Sequence, residues 1–141
     1  MKSLKIMTSS TLASEYVVDT MALVLQIEKR KMSQTAKNIF SAMESGNTVI
    51  HVPAMVFAEI LYHSEKGRIK CLLADVAGYM KQHLNCREFS FNFAVAEATA
   101  QITDIRELHD RLIAGTARLL NLELITNDPI IQASSFVKTI W

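Results

Sequence analysis

Short apolar bursts alternate with longer stretches of helical spacing along this chain, and that alternation restricts it to a small set of folds. Tyr16-Val17-Val18, Thr48-Val49-Ile50-His51-Val52 and Leu122-Glu123-Leu124-Ile125-Thr126 are too short for buried helices and rich in β-branched residues, so they predict strands. Arg87-Glu88-Phe89 and Phe136-Val137-Lys138-Thr139-Ile140 are candidates for two more. Between them, helices are expected over 21–28, 33–44, 54–65, 69–84, 92–102 and 108–120. Ser33 suits an N-cap, Gly46 and Gly67 suit stops, and Pro53 occupies a favoured helix-start position. The run Ala114-Gly115-Thr116-Ala117 permits a helix backbone to approach a sheet closely. Strands alternating with helices imply a parallel sheet covered on both faces. The expected fold is therefore α/β, a three-layer α/β/α sandwich with a short, mainly parallel β-sheet and right-handed crossovers.

With 141 residues and no internal repeat or Gly/Ser/Pro-rich linker, one domain is expected over 16–141, preceded by an N-terminal extension, 1–15. Half the residues are hydrophobic and 21% are charged, which excludes disorder and low-complexity filament. The net charge of +1 gives no bulk field toward a polyanion, so any basic site must be built by local clustering. Lys29-Arg30-Lys31 and Lys66-Gly67-Arg68-Ile69-Lys70 are the candidate clusters. Two cysteines, Cys71 and Cys86, are too few for a disulfide-stapled scaffold and have no CxxC partner, so buried reduced thiols are expected. The first residues lack the apolar core of a signal peptide, and no apolar run reaches the ~20 residues of a membrane helix. A soluble cytoplasmic protein is expected, with no membrane partner.

In an open parallel sheet, ligands bind beyond the carboxyl ends of the strands. Asp19 directly follows Tyr16-Val17-Val18, and Asp128 lies just past Leu124-Ile125-Thr126, so both should project from one edge. Glu59 interrupts Ala54-Met55-Val56-Phe57-Ala58-Glu59-Ile60-Leu61-Tyr62, apolar on nearly every face, where a buried carboxylate needs a partner, a cation or water. Pairing with Lys66 or Arg68 is the structural alternative. Asp110 stands at the opening of the small-residue helix. Capping or the helix dipole would account for each aspartate singly. Together, the four acids sit where an α/β sheet would bring them toward one cleft, and two charges ~4 Å apart repel by roughly 4 kcal/mol at an effective dielectric of ~20. A divalent cation removes that penalty, and all-oxygen ligands select Mg²⁺ or Mn²⁺ over zinc. The four histidines show no zinc-site spacing, and there is no P-loop or GxGxxG. Asp19-Thr20-Met21 lacks the second Asp of a haloacid-dehalogenase-like nucleophile.

These residues, in this order, resemble the PIN domain, in the small single-domain form of VapC-type toxins. The block Leu108-His109-Asp110-Arg111-Leu112-Ile113-Ala114-Gly115-Thr116-Ala117, followed by Leu124-Ile125-Thr126-Asn127-Asp128, carries most of the resemblance. Val18-Asp19-Thr20 is similar to the family's first-strand motif, and Val52-Pro53 through Glu59 to the helix bearing its second acid. The resemblance implies a metal-dependent endoribonuclease whose catalytic and metal-binding quartet is Asp19, Glu59, Asp110 and Asp128. Thr20, Thr126 and Asn127 would orient carboxylates or water, and Arg106 and Arg111 would meet substrate phosphate. It also implies a homodimer, an RNA substrate and, for the toxin branch, a small antitoxin. A catalytically silent scaffold binding RNA or protein is the alternative. Two departures stand out: Met21 replaces the Asn or Ser often found two positions after the first Asp, and 1–15 precedes the first strand.

Overall fold

The computed structural model describes residues 14–141, so the expected extension 1–15 lies outside the described residues except for Ser14 and Glu15. Five strands, β1 (Glu15–Val18), β2 (Val49–Pro53), β3 (Cys86–Phe89), β4 (Glu123–Ile125) and β5 (Thr139–Ile140), form one sheet in the order β3-β2-β1-β4-β5. Every pairing is parallel. Side chains alternate between faces along a strand, yet successive residues Val17 and Val18, and Leu124 and Ile125, are all fully buried. Both faces of the sheet are therefore covered, as in the expected α/β/α sandwich.

The flanking helices are α1 (Thr20–Ile27), α2 (Gln34–Glu44), α3 (Ala54–Glu65), α4 (Leu73–Gln82), α5 (Phe93–Ala100), α6 (Leu108–Leu120) and the short α7 (Pro129–Gln132). Ser33 caps α2 through its hydroxyl on the Ala36 N–H, and Gly46 and Gly67 take positive φ just past the ends of α2 and α3. Pro53 ends β2 and is the residue before α3 rather than its first helical position.

Two expectations change. The helix expected over 69–84 is confined to Leu73–Gln82. Its first turn is pre-empted because the Glu28 carboxylate accepts the Lys70 and Cys71 N–H groups, both at 2.8 Å, and Asp75 accepts that of Leu72. Gly115 meets α5 rather than the sheet: a Cβ there would lie 3.0 Å from the Thr99 Cα. Met32, Ile39, Phe40 and Met43 are all buried in the core. No helix among the described residues is long and apolar enough to cross a membrane.

The chain runs outward from β1 through β2 to β3, then returns to place β4 on the other side of β1. The β1/β4 boundary is thus the point where strand order reverses, and a crevice opens there at the carboxyl edge.

Candidate active site

The register that sets Val18 opposite Ile125 puts the next residues, Asp19 and Thr126, side by side at the edge of the sheet. Asp19 donates its backbone N–H to the Ile125 carbonyl at 3.2 Å, while its carboxylate accepts the Ala22 N–H at 2.9 Å and caps α1. One residue thereby ties the end of β1 to both α1 and β4. Thr126 is wholly buried, hydrogen-bonds the Asp19 carboxylate through its hydroxyl, and accepts the Asp128 N–H at 3.0 Å. Asp128 then caps α7 by accepting the Ile130 N–H at 2.8 Å.

Glu59 reaches the same crevice from the middle of α3. The Thr20 hydroxyl donates to its Oε1, and His109 Nδ1 lies 3.7 Å from its Oε2. Lys66 and Arg68 are not its partners; their cations lie 5.6 and 5.5 Å from the Tyr62 ring centroid. Asp110 stands in the first turn of α6, its N–H capped by the Glu107 carboxylate at 2.8 Å.

Asp19, Glu59, Asp110 and Asp128 line one cleft of about 360 Å³, together with Thr20, Asn127, Met21 and His63. Their electrostatics are coupled. Burial pushes the Asp19 carboxyl up to about 6; hydrogen bonds from Thr126 and Ala22 oppose that rise, and Asp128 and Glu59 add to it. Asp110 is also pushed up to about 6, first by burial and then by Glu107, Asp128, Glu59 and Asp19. A cleft that resists ionisation of its own acids is one whose charge a divalent cation would offset, and the quartet's donors are all hard oxygens. The residues thus fit a divalent cation.

A tighter trio sits at the cleft's mouth: single ligand atoms of Glu59, Glu107 and His109 all lie within 4.8 Å of one another. His109 Nδ1 is 3.5 Å from Glu107 Oε2. Neither Glu107 nor His109 is marked by spacing in the sequence; only their place just before Asp110 pointed toward the cleft. Glu107 already serves as the N-cap of α6, and Glu107 and His109 are exposed, whereas Asp19 is buried and Glu59, Asp110 and Asp128 are half-buried, so the quartet is the better-enclosed group of carboxylates. Arg106 is exposed and Arg111 half-buried, its Nε enclosed without a hydrogen-bond partner; neither is among the side chains lining the cleft. Cys71 and Cys86 are both free and buried, and burial pushes their thiols up to about 11 and about 12, which makes them inert packing groups.

A family model of the PIN domain matches residues 16–136. No curated protein sequence matches the chain. Among solved structures, the fold is similar to VapBC2 from Rickettsia felis bound to a DNA fragment from its promoter, with a TM-score of 0.70 and 18% identity over 90% of this chain and 98% of that one. It is also similar to DNA-bound VapBC from Salmonella typhimurium, with a TM-score of 0.66 and 17% identity over 90% and 97% of the two chains. A third similar structure is FitAcB from Neisseria gonorrhoeae, with a TM-score of 0.63 and 16% identity over 89% and 96%. At these identities the likeness is one of fold.

Proposed function

The chain belongs to the PIN domain family, and from that premise we propose that it is a metal-dependent endoribonuclease, the toxin of a toxin-antitoxin pair. The observation that carries this reading is the convergence of Asp19, Glu59, Asp110 and Asp128, from four separate elements, on one cleft at the strand-order reversal. These four would hold one or two Mg²⁺ or Mn²⁺ ions. When bound, the metal would supply charge neutralisation and Lewis acidity toward water and a phosphate oxygen.

The surrounding residues divide the work of orientation. Thr20 fixes one oxygen of Glu59, leaving Oε2 to face the cleft mouth, where it can ligate or position the attacking water. Thr126 orients the Asp19 carboxylate from below, and Asn127 offers its amide at the rim. His109, between Glu59 and Glu107, can hold a proton at Nδ1 in reach of either carboxylate. Arg106 and Arg111 are the proposed phosphate contacts nearest Asp110. In-line attack on a phosphodiester would leave a 3′-hydroxyl and a 5′-phosphate.

The working unit is proposed to be residues 16–141 as a single domain, with 1–15 an appendage, acting in the cytoplasm as a homodimer. Similarity to VapBC and FitAB complexes supports a small antitoxin as partner. Exposed Leu84, Phe91 and Phe93 supply apolar area for such contacts. The test is incubation of purified protein with total RNA in Mn²⁺ or in EDTA, with 5′ ends mapped. Cleavage should require metal and be lost in Asp19→Asn and Asp110→Asn; cleavage indifferent to both substitutions would refute the proposal. Co-expression of a short neighbouring reading frame should relieve any growth arrest.

A further inference from the structure

We propose that a band of cations formed by Lys29, Arg30, Lys31, Lys37, Arg68 and Lys70 is a track for the phosphate backbone of an RNA strand leading into the acidic cleft. The inference rests on RNA being the substrate and deepens that reading. In sequence these cations belong to separate clusters, and the near-neutral net charge of +1 gives no hint that they meet. In the fold they do. One surface depression is lined by Lys29, Arg30, Lys31 and Lys37, a second by Arg30, Arg68 and Lys70, and Arg30 is common to both. The only acid lining either depression is Glu28.

Glu28 is what joins them. Its carboxylate accepts the backbone N–H groups of Lys70 and Cys71, each at 2.8 Å, and the Arg30 guanidinium at 3.0 Å. Its negative charge is thus spent inside the protein on holding two basic segments side by side, leaving the lysine ammonium groups facing water. Lys29 itself has φ 56, a left-handed conformation that Gly or Asn adopts more readily than a long side chain. The Lys29 side chain lines the first depression.

The band also reaches the cleft. Arg68 lies 3.5 Å from His63 Nδ1, and His63 lines the cleft beside Glu59. Tyr62, half exposed next to Arg68, presents an aromatic ring at this junction, on which a base can stack. Cations followed by an aromatic and then by carboxylates are the order in which a strand would meet backbone contacts, a stacking platform and the cutting site.

The experiment compares wild type with a variant carrying Lys29→Gln, Lys31→Gln, Lys37→Gln and Lys70→Gln, after thermal unfolding shows both to be folded. Affinity for a fluorescent single-stranded RNA is measured in EDTA across a salt series, and cleavage of the same strand is followed separately in Mn²⁺. Each lost phosphate contact on a single strand lowers the slope of log affinity against log salt by ~0.7, so the variant's slope should fall by about 3. It should also need more RNA for half-maximal cleavage while kcat is retained. A control with Lys81→Gln and Lys138→Gln, exposed lysines outside the band, should match wild type. An unchanged slope in the four-lysine variant overturns the proposal, and so does an unchanged slope accompanied by lost affinity for a partner protein. Lysine-dependent binding with no cleavage in Mn²⁺ would instead support the band while removing the ribonuclease reading.

Discussion

Asp19 meets two demands that pull in opposite directions. It caps α1, which any good hydrogen-bond acceptor can do, and it places a carboxylate in a buried cleft among other acids, which opposes ionisation. Asparagine meets the first demand and removes the second. The Asp19→Asn protein should therefore have a higher Tm than wild type in EDTA at pH 8, yet show none of the Tm increase expected of wild type in Mn²⁺. A lower metal-free Tm would mean that the acidic repulsion is not what limits the fold. The same residues set a pH dependence. Asp19 and Asp110 have folded values near 6, above the ordinary 3.8, so the native state holds more protons than the unfolded chain between those values. Their contribution to stability is complete below pH 4 and is lost as pH rises through 6. Urea midpoints of metal-free protein should accordingly fall over that window, and saturating Mn²⁺ should abolish the fall at its upper end. Asp19 and Asp128 were legible as candidates because each ends an apolar strand, and Glu59 because it breaks an apolar helix. Glu107 and His109 were not, since an exposed acid and histidine at a helix start are ordinary surface chemistry until α3 brings Glu59 against them.

Elements, too, were visible where local pattern decides and obscure where distant residues do. The start of α4 depends on Glu28, more than forty residues earlier in the chain, reaching the Lys70 and Cys71 amides. No local periodicity encodes that contact, and so the helix looks longer in sequence than it is. Glu28→Ala should cost about 1 to 3 kcal/mol in urea unfolding, since two N–H groups lose a charged acceptor. Hydrogen exchange at Lys70 and Cys71 should accelerate in step, and continued protection there would show that the carboxylate is dispensable. The α5/α6 contact makes a sharper demand. A methyl group at Gly115 would fall 2.0 Å from Thr99 Oγ1 and 3.0 Å from the Thr99 backbone, so moving the hydroxyl alone cannot make room. Gly115→Ala should destabilise by about 1 to 3 kcal/mol. Because α6 also carries Asp110, the Mn²⁺-dependent Tm increase should shrink as well; an unaltered increase would show that the helix can shift without disturbing the cleft.

At the scale of the whole molecule, opposite charges are sorted into different regions of a nearly neutral chain: an acidic crevice at the sheet edge and a basic band beside it. That sorting could not be read from totals, because clusters distant in sequence become one surface only through the fold. The proposed homodimer should appear in sedimentation as a species of twice 15.8 kDa, and a persistent single-chain mass at micromolar concentration would count against it. The parallel sheet also has a consequence for how the protein is made. β1 is flanked by β2 and β4, so Asp19 waits until late in translation for its neighbours Thr126 and Asp128. A polypeptide still growing, or cut short before β4, carries at most three acids of the quartet without the strand that completes their cleft. If the finished enzyme cuts RNA, the unfinished one lacks the assembled cleft with which to do so while it is still on the ribosome.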